Sequence, residues 1–296
     1  MSRAPMPTGH PVGPLVDTAL IPPWMRSLTD DVERLTDIVN SRGGDRARLA
    51  RMVATARNRR AAAVLVLLAG TFESAPENSG GLPDDAEILL LERATTLRQH
   101  SGQVAFPGGA HDEGEPFPVH TALREAQEET GLEPDGVRVL ANLPSFSTLP
   151  SPFEVVPVLG YWERPTPVRA VDAGETARVA RIRVGDLLEP ANRFQVRRDF
   201  LGGRVYQGPA FMVDGLLVWG FTGGLFAAIS HACGWDVPWD TDDVRPLDEA
   251  IAAAKSSQDH GLPLDLPFPP DANDFDPNGF DSAGKDGGDA GWGDRR

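Results

Sequence analysis

Three glutamates lie close together in the sequence, with a spacing that could hold a divalent cation. Glu125, Glu128 and Glu129 stand at i, i+3 and i+4, so a helix would present all three carboxylates on one face. Each like-charged pair costs about 0.2–0.5 kcal/mol, and the dipole at the last turn of a helix disfavours anions further. A hard cation such as Mg²⁺ removes this conflict, because it binds carboxylate oxygens together with water and phosphate oxygens. The alternative is a solvated acidic helix face that binds nothing.

Two other features flank these glutamates. Upstream, Gly108 and Gly109 follow Phe106-Pro107, and such a glycine turn lets the backbone approach a ligand closely with its amides facing an anion. A purely structural turn is compatible with the same residues. Arg124 directly precedes the glutamates and is predicted to orient a carboxylate of this segment. An ordinary surface ion pair is the alternative for Arg124.

Hydrophobic periodicity and turn residues predict the elements that must position these side chains. The predicted strands cover residues 62–69, 87–92, 137–143, 155–162, 179–184, 204–211 and 216–219, the last two forming a hairpin. The predicted helices cover residues 119–130 and 222–233, and Gly131 stands where a helix C-terminus favours glycine. The first 60 residues are predicted to be helical, on the spacing of Leu35, Ile38 and Val39. Strands with few helices between them favour an α+β fold, an α/β/α sandwich.

The negative charge of the chain is concentrated at its C-terminal end. The 296 residues have a net charge of −15, and residues 236–296 alone carry 15 acidic and 5 basic side chains. From about residue 259, Asp, Gly and Pro dominate without an apolar period, which predicts a disordered acidic tail. The alternative is that the aromatic residues of this tail anchor a partner. We therefore expect an N-terminal helical extension (1–60), a central domain (61–235) and an acidic C-terminal segment (236–296).

The composition also argues against several classes of protein. An excess of acidic residues disfavours a general binder of nucleic acid or of anionic membranes, since both need a basic surface. The single cysteine, Cys233, excludes a disulfide scaffold and is predicted to be a small core residue rather than a nucleophile. The longest apolar run, residues 61–70, is too short to span a bilayer, and the N-terminus lacks the apolar core of a signal peptide. We expect a cytoplasmic protein.

The segment that carries the glutamates resembles the Nudix box, Gly-x5-Glu-x7-Arg-Glu-U-x-Glu-Glu-x-Gly-U, in which U is an apolar residue. The matching residues are Gly109, Glu115, Arg124, Glu125, Ala126, Glu128, Glu129, Gly131 and Leu132. Eight residues instead of seven separate Glu115 from Arg124, which leaves the role of Glu115 open. The resemblance implies the Nudix fold, with a mixed β-sheet between helices, and hydrolysis of a nucleoside diphosphate linked to another group.

The sequence just upstream resembles the signature of the coenzyme A pyrophosphatases, Leu-Leu-Thr-x-Arg-[Ser/Ala]-x3-Arg-x3-Gly-x3-Phe-Pro-Gly-Gly. It matches at Leu89, Leu90, Arg93, Ala94, Arg98, Gly102 and Phe106 to Gly109, with Leu91 in place of Thr. This resemblance implies cleavage of coenzyme A or its derivatives to adenosine 3′,5′-bisphosphate and 4′-phosphopantetheine or its acyl form. The alternatives are a Nudix hydrolase of a sugar nucleotide or dinucleotide, and a Nudix-fold binding protein without catalysis.

The resemblance also implies a role for each site residue. Mg²⁺ or Mn²⁺ would be bound by Glu125 and Glu129, with Glu128 as a third ligand or as the group that positions the water. Glu175, outside the box, would be the general base, and an ordinary exposed loop glutamate is the alternative.

The expected partner is a small nucleoside diphosphate substrate, and the oligomeric state is left open between monomer and homodimer. Arg93 and Arg98 would bind the 3′-phosphate of coenzyme A, since arginine can hold phosphate in a bidentate way. Exposed basic residues at a strand edge are the alternative for both. His100 could donate a hydrogen bond to the substrate, and an ordinary packed or surface histidine is equally compatible with the sequence.

Overall fold

The computed structural model describes residues 10–32, 34–35, 37–38, 60–95, 102–147, 153–200 and 204–259. Arg98 and His100 lie outside these residues, as does the tail predicted to be disordered after residue 259.

The larger of two sheets has nine strands among the described residues. They are β1 (Gly13–Pro14), β2 (Arg60–Ala69), β3 (Glu87–Arg93), β4 (Val104–Ala105), β5 (Gly108–Ala110), β6 (Val137–Asn142), β7 (Phe146–Ser147), β8 (Phe153–Trp162) and β9 (Thr176–Arg183). The main order is β1-β6-β8-β2-β3-β4, while β5 pairs with β2, β7 with β8 and β9 with β3. The long central strands β2 and β8 run parallel, whereas β2 and β3 run antiparallel. The sheet is therefore mixed. The near-continuous apolar run of β2 fits a strand that is covered on both faces.

The second sheet has four strands among the described residues, in the order β12-β11-β10-β13. These are β10 (Arg193–Phe200), β11 (Arg204–Val213), β12 (Leu216–Val218) and β13 (Val244–Pro246). The described α-helices are α1 (Ser27–Asp30), α2 (Val119–Thr130), α3 (Val184–Leu188), α4 (Gly220–Ala232) and α5 (Leu247–Asp259).

Helix α2, which carries the three glutamates, packs on one face of the large sheet. Its fully buried residues Ala122 and Ala126 belong to one apolar cluster with Leu65 and Leu67 of β2. Two small side chains on the buried stripe let the helix axis approach the sheet, and this fixes the height of the glutamates over β2 and β5. The helix ends at Gly131, whose φ of 69° is left-handed and whose N–H donates to the carbonyl of Gln127.

The other face of the large sheet contributes to a second apolar cluster that also contains α4 and the second sheet. Val66 of β2, Phe226 of α4 and Phe211 of β11 are all buried in it. Trp24 joins the same cluster, with its ring 5.6 Å from that of Trp235. Helix α5 packs elsewhere, in a third cluster with strands of the second sheet.

The structure confirms the α+β fold and most of the predicted elements. Helix α2 has the predicted bounds, and the predicted strands and the helix after residue 220 are found within a few residues of their expected ends. The helical prediction for the N-terminus holds at residues 27–30 and at the described residues 32, 34–35 and 37–38. It is wrong for residues 10–26, where Gly13–Pro14 pair with β6 and the described helical turns are the short 3₁₀ helices Thr18–Leu20 and Pro23–Met25. Residues 33, 36 and 39–59 lie outside the described residues.

The domain boundaries at residues 60 and 235 stay predictions. Within the described residues, no helix is long and apolar enough to cross a membrane. Cys233 is buried, and burial raises the pKa of its thiol well above the ordinary value, as expected for a core residue.

Candidate functional site

The guanidinium of Arg124 lies among carboxylates from α2 and from the loop before it. Its Nη1 donates to Glu128 Oε2 at 2.9 Å, and its Nη2 lies 2.9 Å from Glu125 Oε1. Its Nε donates to Glu115 Oε2 at 3.0 Å, and Nη2 also donates to the carbonyl oxygen of Ala110 at 3.2 Å. The hydrogen bond to Glu115 raises the pKa of Arg124 although burial opposes it. Arg124 is thus a fixed cation at the centre of the site.

Glu115 is the most strongly held carboxylate in the site. Besides Arg124, it accepts hydrogen bonds from Thr121 Oγ1 at 2.5 Å and from the main-chain N–H of Asp112 at 3.1 Å. His120 Nδ1 lies 3.0 Å from its Oε2. Burial raises the pKa of Glu115, but the hydrogen bonds, led by that of Arg124, outweigh burial and hold this pKa well below its usual range. Glu115 therefore fastens the loop of residues 112–118 to α2.

Sequence reasoning predicted that Arg124 orients a carboxylate of this segment, but it missed the other side chains that hold Glu115. Thr121 and Arg124 are three residues apart on α2, a spacing that places both on one face and could have indicated a shared partner. The buried His111 has its Nδ1 3.4 Å from Thr121 Oγ1 and 3.4 Å from Glu115 Oε1. The contacts of both histidines with Glu115 had no signal in the sequence, because they depend on the path of the loop.

The glycine turn lies directly over two of the glutamates. The N–H of Gly108 donates to Glu129 Oε2 at 2.9 Å. A Cβ at Gly109 would lie 2.4 Å from Glu125 Oε2, so any larger residue would displace this carboxylate from its present position. The turn is itself fixed, because Gly108 and Gly109 pair with residues of β2 in the sheet. The structure thus brings Gly108 and Gly109 together with Glu125 and Glu129.

Glu129 is a buried carboxylate, with 8% of the residue exposed. Its pKa is raised from the ordinary 4.5 to about 7: burial is the largest cause, the hydrogen bond from the Gly108 N–H lowers the pKa, and the neighbouring charge of Glu125 raises it. Burial likewise raises the pKa of Glu125, against the opposing effect of Arg124. The side chain of Glu128 differs from both, since 59% of it is exposed. The surroundings of Glu125 and Glu129 therefore disfavour the negative charge of their carboxylates.

Arg93 and Glu175 approach this cluster from the end of the large sheet. Nη1 of Arg93 lies 3.8 Å from Glu129 Oε1, next to a register shift between β3 and β9. Such bulges re-aim side chains and are common beside active sites. Glu175 is exposed, its carbonyl accepts the N–H of Ala94, and its charge is one of those that raise the pKa of Glu129. Arg98, the other predicted phosphate ligand, lies outside the described residues.

Among the described residues, no three His, Cys, Asp or Glu side chains are grouped so that they could hold a metal ion. In this arrangement the carboxylates of Glu125 and Glu128 contact Arg124, while that of Glu129 contacts the N–H of Gly108 and the guanidinium of Arg93. The chemistry of the donors nevertheless fits a hard divalent cation, because buried carboxylates with raised pKa values gain from an added positive charge.

Comparison with known proteins identifies the family. The model of the NUDIX domain matches residues 78–201. The uncharacterized Nudix hydrolase NudL of Cronobacter sakazakii is 34% identical over 147 residues, which cover 50% of this chain and 75% of that protein. The protein of the same name from Pectobacterium atrosepticum is 51% identical over 73 residues, which cover 25% of this chain and 38% of that protein.

Solved structures give a further likeness. The crystal structure of a Nudix hydrolase from M. smegmatis, RenU, matches with a TM-score of 0.34 and 25% identity, over 44% of this chain and 73% of that one. The family assignment depends on the sequence relatives. Since NudL of Cronobacter sakazakii shares 34% identity with this chain over 75% of its own length, the chain belongs to the Nudix hydrolase family.

Proposed function

We propose that this chain hydrolyses the diphosphate of coenzyme A or of its derivatives with the help of a divalent metal ion. The products would be adenosine 3′,5′-bisphosphate and 4′-phosphopantetheine or its acyl form. The observation that carries the proposal is the position of Arg93, from the run that resembles the coenzyme A pyrophosphatases, 3.8 Å from Glu129 of the Nudix box. We place the activity in the cytoplasm, since a chain with a single cysteine has no disulfide scaffold and fits a reducing compartment.

Members of the Nudix family generally use Mg²⁺ or Mn²⁺. In this chain Glu125 and Glu129 would hold the ion, with Glu128 as a third ligand or as the group that positions the water. When bound, such an ion neutralises the charge of a diphosphate and lowers the pKa of a bound water.

The protein groups around that ion have separate tasks. Arg124 holds the carboxylates of Glu125 and Glu128 in place, and the N–H of Gly108 holds that of Glu129. Glu175 would accept the proton of the attacking water, for which it must come within about 2.6–3.2 Å of that water or act through another one. Arg124 and the N–H of Gly108 thus orient carboxylates, and among these groups Glu175 is the one that would accept a proton.

The sequence assigned Arg93 to the 3′-phosphate of coenzyme A. Because the guanidinium of Arg93 faces Glu129, we propose instead that it would bind the diphosphate. Binding of the 3′-phosphate by Arg98 stays a prediction.

The first prediction concerns the substrate. The purified chain with Mg²⁺ and coenzyme A is expected to release adenosine 3′,5′-bisphosphate, measured by chromatography with mass detection. Sugar nucleotides and dinucleotides, tested under the same conditions, should be cleaved at least about tenfold more slowly, which corresponds to about 1.4 kcal/mol in the barrier. Faster cleavage of one of these would contradict coenzyme A as the substrate.

A second substrate class has one observation in its favour. Leu91, which is 1% exposed in β3, stands where the coenzyme A signature has Thr. A buried leucine at this position removes a hydroxyl that the signature retains, which keeps a sugar nucleotide or dinucleotide as the alternative substrate. A non-catalytic binding protein has less support, since all three glutamates and Arg124 of the box are present.

Gly108 and Gly109 are expected to differ in role, the first supporting the fold and the second the activity. In Gly109→Ala the three atoms nearest to the new Cβ would all belong to the flexible carboxylate of Glu125, at 2.4–2.7 Å, so the fold is expected to survive while hydrolysis falls at least about tenfold. In Gly108→Ala the Cβ would lie 2.3 Å from the main-chain oxygen of Ala63, at a φ of +155°. We expect Gly108→Ala to lose about 2–3 kcal/mol of unfolding free energy.

Urea unfolding and initial rates of hydrolysis, measured on both variants, test whether Gly109→Ala loses activity while Gly108→Ala loses stability. A Gly109→Ala protein with full activity would show that the carboxylate of Glu125 is not needed where it stands.

A further inference from the structure

The loop of residues 163–175, between β8 and β9, is fastened to the helix that carries the glutamates. The N–H of Val171 donates to the carbonyl of Glu129 at 3.3 Å, and the N–H of Arg169 donates to that of Thr130 at 2.9 Å. Carbonyls in the last turn of a helix lack partners within the helix and need them from elsewhere. This part of the chain supplies them, so the loop and the C-terminus of α2 hold each other in position.

The same loop is fastened to β3 at its other end. The N–H of Ala94 donates to the carbonyl of Glu175 at 2.9 Å. The next residue, Thr176, is the sheet partner of Arg93, whose guanidinium lies 3.8 Å from Glu129. The backbone of Glu175 is therefore bound to the strand that reaches the carboxylate cluster.

Between these two attachments, Asp172 forms a turn immediately before Glu175. Its Oδ1 accepts the N–H of Gly174 at 2.7 Å. Its main-chain oxygen accepts the N–H of Glu175 at 3.1 Å and that of Thr176 at 2.8 Å. A side-chain acceptor two residues before its donor defines an Asx turn, which fixes the local path of the chain. The side chain of Asp172 thus closes the turn that leads into Glu175.

We infer that Asp172 is a positioning residue whose side chain holds the turn that directs the Glu175 carboxylate towards the glutamate face of α2. The inference rests on the proposed function, in which Glu175 accepts the proton of the attacking water. Asp172 acts only through Glu175 and does not touch the reacting atoms.

The test is a double-mutant cycle between Asp172 and Glu175. Asp172→Ala is expected to lower kcat about tenfold with KM changed less than about twofold, because a misplaced base slows the chemical step and leaves substrate binding intact. Asp172→Asn, which keeps an acceptor oxygen for the N–H of Gly174, should retain most of the activity. Asp172→Ala in a Glu175→Gln background should cause no further loss, since the group it positions is already gone.

Asp240 provides the matched control, because its Oδ1 accepts the N–H of Asp242 at 2.9 Å with the same spacing, on the segment before β13. Asp240→Ala should leave kcat unchanged. The inference is overturned if Asp172→Ala is harmless, if its loss adds in full to that of Glu175→Gln, or if Asp172→Asn fails to rescue.

The identity of the substrate is tested separately from the cycle between Asp172 and Glu175. If coenzyme A is not cleaved and another nucleoside diphosphate is, the proposed substrate fails and the same cycle decides the inference with the substrate that is turned over.

Discussion

Replacing Glu129 with glutamine is expected to lower hydrolysis about a thousandfold and, in the absence of metal, to stabilise the protein above pH 7. The loss of activity follows because Glu129 is a proposed metal ligand, and the ion contributes several kcal/mol of transition-state stabilisation, at about 1.4 kcal/mol per tenfold in rate. The gain in stability follows because Glu129 is a buried carboxylate that loses its charge in the variant. Opposite effects on rate and stability are typical of a residue kept for function.

The sign of the pH dependence follows from the pKa of Glu129, which burial raises from 4.5 to about 7. A carboxyl group with a raised pKa in the folded state favours folding below pH 4.5, and this contribution is lost as the pH rises through 7. Integrated over that interval, the metal-free wild type should lose up to about 3 kcal/mol of unfolding free energy. The glutamine variant has no charge to bury and should not show this loss.

Urea unfolding with a chelator at pH 5 and at pH 8 measures this difference. Added Mg²⁺ should stabilise the wild type at pH 8, since a ligand that binds only the folded state shifts the equilibrium towards it, and should have much less effect on Glu129→Gln. Glu128→Gln is the matched control, because the side chain of Glu128 on the same helix is 59% exposed and its charge is already solvated. Equal pH slopes for wild type and Glu129→Gln would contradict the expectation.

The elements that the sequence predicted well are those with strong local signals. Helix α2 combines a buried alanine stripe with a terminal glycine, and β2 is a long apolar run bounded by loops. Strand β10 was missed because arginines interrupt its alternation, as in Arg197-Arg198. Helix α5 was missed because the acidic composition of residues 236–296 hid the apolar spacing of Leu247, Ala250 and Ala254, which are buried against the second sheet.

The sequence predicted which residues form the candidate site better than it predicted the contacts between them. The spacing of the three glutamates placed them on one helix face, and the resemblance to the Nudix box selected Arg124 and the glycine turn. The contact between Arg93 and Glu129 could not be predicted, because it joins residues far apart in sequence through a register shift in the sheet. The raised pKa of Glu129 depends on burial, which only the packed structure shows.

The second large effect is expected at Arg124, where Arg124→Gln should lower the unfolding free energy by about 3–5 kcal/mol and reduce hydrolysis to background. The substitution removes the cation that holds Glu115, Glu125 and Glu128, and leaves Glu115, with 10% of its side chain exposed, as a buried charge without its arginine. Arg124→Lys should recover little, because an ammonium group cannot bind several carboxylates in the fork geometry of a guanidinium.

A cycle with Glu115→Gln separates the stability of this pair from its role in activity. The pKa of Glu115 is held well below its usual range, so its charge stabilises the fold above the unfolded-state pKa and this stabilisation is lost in acid. Glu115→Gln alone should therefore lower the unfolding free energy at pH 7, and its difference from the wild type should be smaller at pH 4.

The double variant Glu115→Gln with Arg124→Gln should lose less unfolding free energy than the sum of the two single losses, because neither buried charge is left without its partner. It should remain inactive, because Glu125 and Glu128 are still released. Additive stabilities, or activity regained in the double variant, would contradict the central position assigned to Arg124.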